Sequence, residues 1–166
     1  MAVKIFGPLD PQVVSKYFFY VALLNIVIAV AVTVPVLVPE WGLPLKVAIW
    51  PGTWMLVAYF GFIGAGVLGV LAWSVIYYLL PRLVAKQKVS RFLSLVHLTV
   101  FEASVVGATG LMGIFPGYIG GTLIHDGFGQ FVVTRIIEWT VIPIGLMVFL
   151  ALVATLTGIL NVVVSK

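Results

Sequence analysis

The sequence predicts an all-α polytopic membrane protein, a single domain built as a bundle of about four transmembrane helices. Three observations predict it. First, 63% of the 166 residues are hydrophobic and only 8% are charged, whereas a soluble domain carries roughly 25% charged residues because its surface faces water. The mean hydropathy of +1.25 says the same. Second, the apolar residues gather into runs close to the roughly 20 residues that a helix needs to cross a hydrocarbon core about 30 Å thick. Third, the basic residues gather on one of the two sides that four such runs define.

The first run spans residues 17–38 and ends against Pro39, Glu40, Trp41 and Gly42, with Pro35 in its last turn. The preceding residues hold two prolines and Asp10, so they do not read as a cleavable leader, and the run itself is too long for a leader's apolar core. Residues 42–51, with two prolines, Lys46 and Trp50, read as an interfacial connection. The second run, 53–80, carries no charge and stops at Pro81-Arg82. The polar stretch Arg82 to Arg91 follows, and then a third run, 92–115, which contains His97 and Glu102 and ends at Pro116-Gly117. Residues 117–129 include five glycines, His125 and Asp126, and read as a loop. The final apolar stretch reaches Val164 and is too long for one plain span. We read 140–164 as the crossing and 128–139 as an extension or an interfacial helix, with Pro143 marking entry into the membrane.

Four spans place both termini on one side with the loop between the second and third. That side carries Lys4, Lys16, Arg82, Lys86, Lys88, Arg91 and Lys166, and the other only Lys46 and Arg135. By the positive-inside rule both termini face the cytoplasm across a cell membrane. Trp41, Trp50, Trp54 and Trp139 fall near the outer boundary and Tyr17, Tyr20, Tyr77 and Tyr78 near the inner one, where amphipathic rings anchor a bundle.

Small residues supply the expected packing surfaces: Gly61, Ala65 and Gly69 on the second helix, Ala103, Gly107, Gly110 and Gly113 on the third, Gly145, Ala151, Ala154 and Gly158 on the fourth. They let helix backbones approach closely where lipid provides little hydrophobic drive for association. Whether the facing helix belongs to this chain or to another subunit stays open.

Few residues offer chemistry. Cysteine is absent, which removes disulfides, thiolate metal sites and thiol catalysis. Glu102 lies near the bilayer centre, where a carboxylate is expensive, so it reads as a proton-path residue, an intersubunit contact or a hydrogen-bonded neutral acid. Asn25, midway along the first helix, is expected to hydrogen-bond another helix. His97 is five residues from Glu102 and so about 140° around the helix from it, in line with Phe101 and Ser104. As a haem ligand His97 would need a second axial residue at its own depth, and the other histidine, His125, falls at the opposite boundary. His125 and Asp126 suit a polar turn better than a metal or quinone contact. Arg135 and Glu138 are spaced to pair on one helix face. No nucleophile with its base, phosphate loop or zinc cluster is present. The basic loop is explained by orientation, with anionic lipid as an added contact, so nucleic acid is not an expected partner.

The second helix, from Trp54-Met-Leu-Val-Ala-Tyr-Phe to Ile76-Tyr-Tyr-Leu-Leu-Pro-Arg-Leu83, resembles pieces of the catalytic subunits of haem-copper oxygen reductases. Those subunits have many more helices and a set of histidine ligands that two histidines cannot supply, so the resemblance carries no catalytic role to any residue here. It implies a short relative or companion subunit in a respiratory membrane oxidoreductase of prokaryotic type, with haem in partner subunits and no cofactor assigned to this chain. The expectation is therefore a non-catalytic membrane subunit contacting lipid and other subunits. A small oligomeric transporter or channel using Glu102, and a haem- or quinone-linked electron carrier using His97, are the alternatives.

Overall fold

The computed structural model describes residues 7–38, 46 and 48–164. Glu40, Trp41 and Gly42, and the terminal Lys4 and Lys166 of the charge pattern, lie outside the described residues. Four helices are long and apolar enough to cross a membrane. We label them α1 (Pro11–Leu37), α2 (Trp54–Leu83), α3 (Arg91–His125) and α4 (Gln130–Val164). The fold is all-α apart from one short ribbon, β1 (Pro8–Leu9) paired antiparallel with β2 (Val89–Ser90).

Local chemistry explains most boundaries. The Asp10 carboxylate caps α1 by accepting the Gln12 N–H at 2.8 Å, and Pro11 occupies the first turn, where its missing N–H is harmless. Ser90 caps α3 through the Leu93 N–H. α2 stops two residues after Pro81, and Ala85 reverses the chain with φ of 55°. Only one face of α1 is buried, through Val14, Phe18, Ala22, Asn25 and Ala29 at steps of three or four. Tyr20, Leu24, Val27 and Val30 on the other face are as apolar and stand exposed, as a lipid-facing helix requires.

The outer part of the bundle differs from the loop read at 117–129. α3 does not end at Pro116. It continues through a π-helical segment, Gly113–Gly120, to His125, leaving only a short turn before Gln130. Pro116 cannot donate to the carbonyl of Met112, and widening the helix there absorbs the defect without ending it. Close packing holds the segment: a Cβ on Gly117 would lie 2.7 Å from the Met55 backbone nitrogen, and one on Gly120 2.7 Å from Pro51. Of the five glycines that suggested a loop, Gly117 lies against the start of α2 and Gly120 and Gly121 against the segment before it, whereas a Cβ on Gly127 or Gly129 would meet nothing within 4 Å. A second π-helical segment, Phe62–Gly69, occupies the glycine-rich middle of α2. In α4 the helix Gln130–Ile137 meets the main span, Val141–Val164, through a 3₁₀ turn at Glu138–Thr140, just before Pro143.

At 35 residues each, α3 and α4 are about 52 Å long at 1.5 Å per residue, well beyond a hydrocarbon core of about 30 Å. They pair along their length, α1 packs on α2, and α2 on α3. The β1–β2 ribbon ties the N-terminal arm to the α2–α3 loop, and the Lys86 ammonium donates to the carbonyls of Val162 and Val163 at the end of α4. The described N-terminal arm, the end of α4 and that loop therefore meet at one end of the bundle.

Candidate functional site

Two polar nodes lie inside the bundle. The first joins α1, α2 and α3. Asn25 is fully buried, and its amide nitrogen donates to the Gly66 carbonyl at 2.7 Å and to a Glu102 carboxyl oxygen at 3.1 Å. Gly66 belongs to the π-helical part of α2 and presses on Phe62 and Val105, so its carbonyl comes within reach of α1. Asn25 Oδ1 has no hydrogen-bond partner among the described residues. Glu102 is only half-buried, although it lies about 15 Å along the helix from Phe92, inside the apolar run. Its neighbours Thr99, Ala103 and Val106 are exposed.

The second node surrounds His97, which is fully buried among the rings of Phe18, Trp73, Tyr77 and Phe101, with centroids 4.3–6.1 Å away. Gly158 of α4 lies against the same ring. His97 Nδ1 is 3.2 Å from the Tyr77 hydroxyl, and the Asn161 amide nitrogen donates to that hydroxyl at 3.3 Å and to Ser94 Oγ at 2.9 Å. Asn161 Oδ1 accepts the Ser90 N–H at 2.9 Å, and Ser94 Oγ donates to the Ser90 carbonyl at 2.8 Å. The Tyr77 hydroxyl accepts from Asn161 and keeps both a proton and a second lone pair, so it can pair with His97 Nδ1 in either imidazole tautomer. Among the described residues Nε2 has no partner. Close by, the Ser74 hydroxyl donates to the Ser15 carbonyl at 2.9 Å, joining α1 and α2.

Tyr77 is thus a buried core residue and not the interfacial anchor that its position suggested, since its hydroxyl is spent on α3 and α4. His97 and Glu102 face different neighbours, as their spacing requires. His125 stands exposed at the far end of the same helix, about 42 Å from His97 along the axis, so no histidine pair forms. Among the described residues no three of His, Asp and Glu gather into a metal site. Arg135 and Glu138 pair at 3.2 Å on the surface.

The small-residue stripes are used largely within the chain. Gly61 faces Thr109, Gly69 faces Phe101, Gly107 faces Met147 of α4, and Ala65 packs on the core. A Cβ at Gly110 would meet nothing within 4 Å.

No known protein family, curated protein or solved structure matches this chain.

Reasoning from sequence missed Tyr77, Ser94 and Asn161 as one unit. Each lies three to six residues from the same end of its helix, and that equal depth was the readable signal.

Proposed function

We propose that the chain is a non-catalytic integral membrane subunit of a larger energy-converting assembly, in which Glu102 meets a neighbouring subunit or lines a proton path. The observation that carries this reading is the half-buried state of Glu102 inside the apolar run, with Asn25 bonded to one carboxyl oxygen. A carboxyl edge left facing hydrocarbon is costly, so intramembrane acids turn to protein or water. A polar group on another helix is the natural cover. The respiratory character of the assembly rests on the resemblance of Trp54–Leu83 to haem-copper oxygen reductases. The cytoplasmic placement of both termini rests on the seven basic residues of that side.

The test uses the absence of cysteine. A single cysteine at Ala103, on the exposed side beside Glu102, should cross-link in native membranes to a second subunit that mass spectrometry identifies, and one at Val27, on the lipid-facing side of α1, should not. Recovery of the chain only as a free monomer after gentle solubilisation would sink the proposal.

The same uncovered carboxyl favours a second reading, a homo-oligomeric transporter or channel in which another copy covers Glu102. Cross-links then join identical chains, and Glu102→Gln abolishes flux across proteoliposomes while leaving the oligomer intact. The electron-carrier reading gains nothing from the geometry, because the His97 ring is already enclosed by aromatic side chains and Gly158.

A further inference from the structure

An apolar cavity of about 480 Å³ lies between α1, α2 and α3. It runs from Ile28, Phe62 and Val106, one turn beyond the Asn25–Glu102 pair, to Pro35, Met55 and Tyr118 near the loop end. From Val106 to Tyr118 it follows about 18 Å of helix, close to the depth of one leaflet's hydrocarbon. Small side chains create the space, including Ala31, Ala58 and Gly110, where a Cβ would meet nothing. Two of the hydroxyls in its wall are already engaged, that of Tyr59 with Thr33 at 2.6 Å and that of Thr109 with the Val105 carbonyl at 2.7 Å. The wall therefore asks for an apolar occupant.

A cation stands beside it. The Lys46 ammonium stands 5.7 Å from the centre of the Tyr118 ring, which lines the cavity. Gly52 and Gly121 hold the Lys46 backbone, because a Cβ on either would collide with the Lys46 carbonyl. Among the described residues no carboxylate pairs with Lys46. Val32 and Ile114 line the cavity and are also exposed on the lipid-facing surface, leaving room for a second chain alongside.

We propose that this cavity binds one acyl chain of an anionic phospholipid, whose phosphate headgroup is held by Lys46. Headgroup charge, chain depth and lateral opening all match a bilayer lipid of the leaflet away from the chain termini. The site is independent of the role proposed for Glu102.

Native mass spectrometry of the full chain released from equimolar phosphatidylglycerol and phosphatidylcholine nanodiscs tests it. The unmodified protein should retain phosphatidylglycerol over phosphatidylcholine by about fivefold, the preference that one basic residue supplies. Lys46→Gln should bring the ratio to parity. Gly110→Leu and, separately, Ala31→Phe should displace the lipid, whereas Gly64→Leu, on an open outward face, should retain it. Equal retention of both headgroups by the unmodified protein, undiminished retention in folded cavity-filling variants, or a free fatty acid as the retained species would each overturn the proposal.

Discussion

The imidazole of His97 on α3 occupies the space in which a side chain at Gly158 on α4 would stand. The glycine is thus required by a neighbour's bulk, not by its own backbone. Gly158→Ala should destabilise the bundle by about 1–3 kcal/mol, the usual result of overpacking a filled core. His97→Ala in the same chain should recover part of that loss, because the methyl group then enters vacated space. Thermal unfolding of both single variants and the double variant in mild detergent gives the coupling. Strict additivity would refute the contact.

Asn161 connects Tyr77, Ser94 and Ser90 through its single amide group. Replacing it with Leu preserves approximate volume but strands the Ser90 N–H and frees the Tyr77 hydroxyl. A loss of about 1–3 kcal/mol is expected for the unsatisfied buried groups. Tyr77→Phe strands His97 Nδ1 but keeps the Asn161 bonds to Ser90 and Ser94, so a smaller loss, about 1 kcal/mol, is expected. The order of the two variants in unfolding experiments is the check.

At Asn25 a substitution by Leu removes the bonds to Gly66 and Glu102 together. Interhelical hydrogen bonds in membranes contribute about 0.6 kcal/mol on average and seldom more than about 1.7 kcal/mol. A loss within that range is expected. Glu102→Gln should leave stability nearly unchanged, because the Gln carbonyl accepts the same Asn25 bond. If Glu102→Gln destabilised as much as Asn25→Leu, the carboxyl would be doing more inside this chain than accepting one bond.

Ala85 follows α2 with φ of 55°, in the left-handed region. That conformation costs a non-glycine residue about 1–2 kcal/mol. Glycine removes the penalty but adds about 0.4–1 kcal/mol of unfolded-state freedom. Ala85→Gly should therefore stabilise the protein by a net amount on the order of 0.5–1 kcal/mol, visible as a higher melting temperature.

How far the sequence could be read depended on the range of the physics at each residue. The spans 17–38 and 53–80 follow from apolar run length, which a single stretch of chain determines, while the helices extend beyond them to Pro11 and Leu83. Glu102 was conspicuous because a carboxyl is costly wherever it enters an apolar run. Tyr77 was misread because amphipathic rings anchor boundaries often enough to hide one that turns inward. Residues 117–125 were misread because Gly and Pro break helices in water, whereas Met55 against Gly117 and Pro51 against Gly120 hold this one together.

By itself the sequence determined that lipid is the solvent, that four helices cross it and that the basic residues gather on one side. Each of these follows from hydropathy or charge summed along the chain. Only the tertiary structure decided that Asn25 reaches Glu102, that Gly158 makes room for His97, and that Lys46 stands beside Tyr118 in the wall of an apolar cavity. Those relations depend on the relative rotation and depth of separate helices, set by many small packing contacts together, and no one helix contains them.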